Sequence, residues 1–190
     1  MPELTPTPGQ TIGPFFHYGL PWETGHLIAS VGTPGAIRLH GRVLDGNGDG
    51  LQDALIEIWQ ADADGRIPQQ QGSLRRDRDE FTFTGFGRTA TRRDGYFTFS
   101  TLTPGPTRDG AAPFFAVTVF ARGLLNRLFT RAYVPGDDTA LANDALLSSV
   151  DPERRSTLLC VQEDERTLRF DIRLQGEDET VFLSYPRHQD

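Results

Sequence analysis

Glycine and proline interrupt this chain so often that it has no room for long helices: 20 Gly and 13 Pro are spread through 190 residues. Each break favours a turn, because glycine admits positive φ and proline fixes φ and removes an N–H. Between the breaks, apolar and polar residues alternate. Ile37, Leu39, Gly41 and Val43 alternate with Arg38, His40 and Arg42 from Ala36 onward, the period of a half-buried strand. Residues 167–175 repeat the pattern and predict one strand, with Leu168, Phe170, Ile172 and Leu174 inward and Thr167, Arg169, Asp171 and Arg173 outward. Further strands are predicted over 54–60, 96–101, 113–121 and 126–134, with 180–184 closing the sheet. One helix is expected after Asp151, which can cap it, with Pro152 and Glu153 in its first turn. A weaker helical stretch covers 139–149. With 13 Phe against one Met, the interior is rigid and aromatic. The expectation is an all-β fold, a β-sandwich with one or two short helices over residues 36–190. Residues 1–35, rich in proline, read as an irregular N-terminal arm, yet one carrying Phe15, Phe16, Tyr18 and Trp22, rings that something must cover.

Charge and composition exclude several function classes. The formal net charge of −7 argues against nucleic acid, and Arg75, Arg76 and Arg78 are interleaved with Asp77, Asp79 and Glu80. Every basic residue other than His is Arg, so neither a Schiff-base lysine nor a P-loop lysine is available. Cys160 is the sole cysteine, set in the apolar run Leu158-Leu159-Cys160-Val161, which predicts a buried structural thiol and fits a reducing cytoplasm. The first ten residues lack the basic and apolar regions of a signal peptide, and the longest apolar stretch, 111–121, is too short to span a bilayer.

Familiar site motifs fail one by one. DGNGDG (45–50) places Asp45, Asn47, Asp49 and Gly50 as a calcium loop would, but Ile56 stands where the closing acid is needed, so a glycine-rich hairpin turn is expected. GFGR (85–88) is too short for a dinucleotide fingerprint. His17, His26, His40 and His188 show no metal-ligand spacing, and His40 falls on the solvated face of its strand. No serine sits in a nucleophile elbow. No acid/base pair marks a self-sufficient hydrolase or isomerase. Taken alone, these residues describe a β domain without a visible active site.

Five segments in collinear order change that reading: GQTIGPFFHYGL (9–20), GRVLDGNGDGLQDALIEIWQADADG (41–65), FGRTATRRDGYFTFSTLTPGP (86–106), FARG (120–123) and RFDIRLQGEDETVFLSY (169–185). Together they resemble the intradiol ring-cleavage dioxygenases, whose fold is a β-sandwich of mixed topology. The resemblance is to the chain type that lacks iron ligands in two-chain members of the family. In the catalytic chain of such members, a P-G-P-Y turn supplies a tyrosinate ligand to Fe(III) and the next strand supplies an H-x-H pair. Here the turn ends in Thr107, and the paired positions are Phe114 and Ala116. A second tyrosine ligand is due upstream of GFGR, but no Tyr lies between Tyr18 and Tyr96.

The resemblance therefore implies no catalytic and no metal-binding residue on this chain, and a homologous iron-binding β chain as its partner in a higher-order (αβ)n assembly. It implies Fe(III) as the cofactor, held by that β chain, and protocatechuate and O2 as substrates, with ring cleavage giving 3-carboxy-cis,cis-muconate. It also implies that this chain lends its Gln10–Pro14 segment to the pocket wall, with Thr11, Gly13 and Pro14 beside the substrate, and that Arg122 faces the substrate's carboxylate. The rival reading is a metal-free, transthyretin-like β-sandwich that serves as a binding module, which leaves the aromatic arm unexplained.

Overall fold

A computed structural model describes residues 13, 15–69 and 82–185. Thr11 and Pro14 of the expected pocket wall, Gln10, and the alternating Arg/Asp run at 75–80 lie outside the described residues. In chain order the elements begin with α1 (Phe16–Gly19), β1 (Ala36–Leu44), β2 (Leu55–Trp59), β3 (Phe86–Ala90), β4 (Tyr96–Leu102), β5 (Phe114–Phe120) and β6 (Leu128–Tyr133). They continue with α2 (Asp138–Asn143), α3 (Ala145–Ser149), a 3-10 turn (Pro152–Leu158), β7 (Val161–Asp164), β8 (Thr167–Arg169) and β9 (Ile172–Arg173).

Two sheets face each other. The first has the order β4-β1-β8-β7, with β9 also paired to β1; the second has the order β3-β2-β5-β6. β1 is antiparallel to β4 but parallel to β8 and β9, so the topology is mixed. The inward residues interdigitate in one core that includes Leu39, Val43, Ile56, Ile58, Phe97, Phe99, Phe115, Val117, Val119, Phe170 and Ile172. The alternating pattern produces this β-sandwich as expected.

Several local expectations need correction. DGNGDG is a hairpin turn as expected, with Asp45 accepting from the N–H groups of Asn47 and Asp49 and Leu44 bridged antiparallel to Gly50, but β1 and β2 on either side of it belong to different sheets. The 167–175 segment is not one strand. It breaks at Phe170–Asp171, where the Asp171 carboxylate accepts the Arg42 N–H at 2.9 Å in place of a ladder carbonyl. Thr167, expected outward, is buried. Residues 180–184 form no strand, although Leu183 N–H donates to the Phe129 carbonyl and Thr130 donates to that of Val181. The helix after Asp151 is a 3-10 turn, capped by Asp151 on the Glu153 N–H. The 139–149 stretch is two short helices, because Asp144 ends α2 and caps α3 through the N–H groups of Leu146 and Leu147. Among the described residues, three short α-helices and one 3-10 turn thus stand where one or two helices were expected.

Two more corrections concern the arm and His40. The arm holds the one-turn helix α1, so it is not wholly irregular. Its later part belongs to the sandwich: the N–H groups of Ile28 and Ala29 donate to the Ser100 carbonyl along β4. Trp22 is buried against Phe86, with the Arg88 guanidinium 5.5 Å over its ring. His40 is not solvated, since its Nε2 lies 2.8 Å from the carboxylate of Glu163 on β7, reaching across β8. No helix among the described residues is long and apolar enough to cross a membrane.

Candidate functional site

β5 carries both regions of interest, one at each end. At its start, register sets the chemistry. Residues two apart on a strand share a face, and side chains directly across a ladder point the same way. Phe114 and Ala116 therefore share a face with Trp59 on β2, opposite Ala116, and with Arg131 and Tyr133 on β6, opposite Ala116 and Phe114. The P-G-P-T turn folds onto the same place. Gly105 N–H donates to the Asp62 carbonyl at 2.8 Å, and a Cβ there would strike the Ala63 carbonyl, so only glycine lets the turn come this close. The result is an apolar cavity of about 200 Å³, lined by Trp59, Ile67, Gly105, Thr107, Phe114 and Ala116 among others. Gln60 in its wall is buried with its demands met: it donates to the Leu102 and Ala61 carbonyls and accepts from Thr101.

The three positions that the resemblance matches to metal ligands, Thr107, Phe114 and Ala116, thus meet in one cavity. These residues do not fit an iron ion. A phenyl ring and a methyl group have no lone pair to give, and a threonine hydroxyl is a poor substitute for a phenolate. Among the described residues no group of three or more His, Cys, Asp or Glu side chains is placed to hold a metal. The nearby phenol is committed elsewhere. Tyr133 is buried, donates its proton to Asp144 at 2.8 Å and accepts from Arg131 at 3.1 Å. Burial pushes it up to about 12, with the Asp144 contacts adding and the Arg131 hydrogen bond opposing. The Arg131 guanidinium lies 4.0 Å over the Phe114 ring.

The far end of β5, Phe120, lies roughly 20 Å from Phe114 at about 3.3 Å per residue, and just past it stands Arg122. It follows Phe120 by two residues, its side chain is 60% exposed, and it is ion-paired with Asp53, which is 13% exposed. The root of the arm docks beside it: the Phe16 ring lies 6.3 Å from the Phe120 ring. Gly13 is exposed with open space where a Cβ would be. The structure therefore brings the arm's root and Arg122 to one edge and keeps both away from the cavity at Phe114. Sequence reasoning missed Arg131 and Asp53. Arg131 alternates with buried residues on β6 and was legible as a strand residue only; Asp53 sits in a turn and carries no signal of its own.

A mixed-topology sandwich with this turn and strand defines a class, and comparison agrees. The chain belongs to the Dioxygenase family, whose profile matches residues 12–176. More narrowly, it is 39% identical over 199 residues to the protocatechuate 3,4-dioxygenase alpha chain of Burkholderia cepacia, spanning 96% of this chain and 99% of that one. It is 32% identical over 157 residues to the beta chain from the same organism, covering 74% of this chain and 64% of that one. Among solved structures, the dioxygenase domain of a dioxygenase carbohydrate-binding protein fusion from Streptomyces sp. SirexAA-E is 28% identical and superposes with a TM-score of 0.60, covering 91% of this chain and all of that one.

Proposed function

We propose that this chain is the α-type subunit of an intradiol protocatechuate dioxygenase, which adds both atoms of O2 across the bond between the two hydroxyl-bearing ring carbons and yields 3-carboxy-cis,cis-muconate. The observation that carries the reading is the meeting of Thr107, Phe114 and Ala116 in one cavity without a metal-binding side chain, in a chain that resembles an α chain end to end. Fe(III) belongs to a homologous β chain in the cytoplasm, and the two chains build an (αβ)n assembly. In that assembly the N-terminal arm, through the part ahead of the segment that joins the sandwich, docks on the partner and walls the pocket through Thr11, Gly13 and Pro14. Arg122 holds the substrate's carboxylate, a guanidinium being a natural counter-charge for it. Its exposure and its separation from the cavity on its own chain support a role at a site completed by another chain.

The test is co-expression with a homologue that carries P-G-P-Y and H-x-H, followed by iron analysis and oxygen uptake with protocatechuate. Activity and iron should appear only in the co-purified complex. Stoichiometric iron with ring cleavage in this chain alone, or no association between the two chains, would overturn the reading.

A further inference from the structure

Ala116 supplies the space in the cavity at the start of β5. Its methyl group stands between Trp59 and Arg131, directly across the ladder on either side, and a larger side chain there would fill what it leaves open. The two rings that bound the space are held in place. Trp59 packs on Phe86 with ring centroids 4.7 Å apart, and Phe114 packs on Tyr133 at 5.6 Å with the Arg131 guanidinium on its face. The cavity is therefore pre-formed, and it opens to solvent at Ile67 and Thr107, both exposed.

The lining has little to offer water. Gln60 and the Gly105 N–H are already bonded within the chain. Among the described residues no ionisable side chain lines the cavity, and Arg131 is engaged by the Phe114 ring and the Tyr133 hydroxyl. Water needs at least two polar partners to be well held, and an apolar group that displaces poorly held water gains affinity. An apolar protein cavity of about 150 Å³ stays dry and takes up benzene. The present one measures about 200 Å³. One neutral polar group waits at its rim: the Thr107 hydroxyl has no hydrogen-bond partner among the described residues.

We propose that this cavity binds a small uncharged aromatic molecule, a single ring in contact with Trp59 and Phe114, and prefers one whose hydroxyl reaches Thr107. A benzoate-type anion is refused, because its carboxylate would lose water with no cation in the wall to replace it. That preference is the reverse of the one proposed for Arg122, so the two regions of β5 sort aromatic molecules by charge. Binding here does not depend on the two-chain reading.

The experiment titrates the full chain, in whichever assembly it purifies, with fluorobenzene, 4-fluorophenol and 4-fluorobenzoate, and reads binding from the fluorine NMR signal of each probe. Fluorobenzene should bind with a Kd of about 1 mM or tighter, 4-fluorophenol roughly three- to tenfold tighter, and 4-fluorobenzoate at least about tenfold more weakly. Ala116→Ile fills the space and should abolish fluorobenzene binding with thermal melting retained. Only the binding that this variant removes is assigned to the cavity, which separates it from ligation at a partner's iron. Thr107→Val keeps the shape of an exposed turn residue without its hydroxyl, so it tests the site independently of how Ala116→Ile folds. It should erase the advantage of 4-fluorophenol and leave fluorobenzene unchanged. No fluorobenzene binding near its solubility limit, parent-like binding by folded Ala116→Ile, or 4-fluorobenzoate bound as tightly as fluorobenzene overturns the proposal. An unchanged 4-fluorophenol affinity in Thr107→Val overturns the role of the rim hydroxyl.

Discussion

Arg122 leaves the end of β5 with one partner, Asp53, and most of its surface in water. The Arg122 end of this pair lies in solvent, where water and salt screen the attraction and hold down its contribution to folding. Its proposed value lies in binding: Asp53 tethers the guanidinium, and the remaining donors stay free for a carboxylate. Arg122→Ala in the assembled enzyme should weaken protocatechuate by roughly ten- to a hundredfold, the low end for removing one partner of a charged pair. Catechol, which lacks the carboxylate, should lose much less, and Arg122→Lys should restore only part of the loss because an ammonium cannot form the bidentate fork. Steady-state kinetics with both substrates decide it; an equal loss for the two would assign Arg122 to the fold or the interface. At this scale the sequence was legible where a motif fixed position. Thr107, Phe114 and Ala116 could be matched before any geometry was known. Asp53 and Arg131 could not, because the Arg122 and Phe114 side chains that they meet come from segments more than ten residues away.

Strand β1 shows why elements were easier to read than their junctions. Its alternation survives intact, with Ile37, Leu39, Gly41 and Val43 buried, because a sheet packed on one face enforces period two. The same logic predicted an unbroken strand at 167–175, and the inward residues Leu168, Phe170 and Ile172 are indeed buried. Alternation reports facing, however, and not which backbone groups are paired. Asp171 diverts the Arg42 N–H, and Phe170 N–H donates to the His40 carbonyl at 2.8 Å, so the ladder is interrupted while the faces persist. Gly41 makes this crossing possible: a Cβ there would collide with the Phe170 carbonyl and come within 3.1 Å of the Phe97 ring. Gly41→Ala should therefore cost about 1–3 kcal/mol, the usual range for overpacking a filled core. Urea unfolding measures it, and an unchanged midpoint would show that the carbonyl has room to move. Trp22 failed to read as core for a related reason. Six prolines through residue 34 hide the segment that runs beside β4, since that run uses two N–H groups on one carbonyl and not a regular ladder.

For the whole molecule, the absence of lysine gives alkaline unfolding an unusually plain form. Two buried groups meet where the two hydrophobic clusters join: Cys160 belongs to the larger, Tyr133 to the smaller, and Cys160 N–H donates to the Tyr133 carbonyl at 2.9 Å. Burial pushes the Cys160 thiol from 9.0 up to about 12, and the Tyr133 phenol from 10.0 up to about 12. Both are neutral when protonated, so the folded chain keeps protons that the unfolded chain gives up at lower pH. Where the unfolded state binds fewer protons, stability falls as pH rises. The contribution is fully present below pH 9, begins to decline above it as the unfolded thiol ionises, and declines more steeply above pH 10 as the unfolded phenol follows. Each group adds a slope of roughly 1 kcal/mol per pH unit until about pH 12. Urea midpoints measured from pH 7 to 11 should be level at first and then fall in these two stages. Cys160→Ala should remove the first stage, and Tyr133→Phe the second, the latter with a loss of about 1–2 kcal/mol at pH 7 because Asp144 and Arg131 each lose a hydrogen bond. A profile that stays level to pH 11 would mean that both sites open to water well before the chain unfolds, and the tight junction between the two clusters would have to be abandoned.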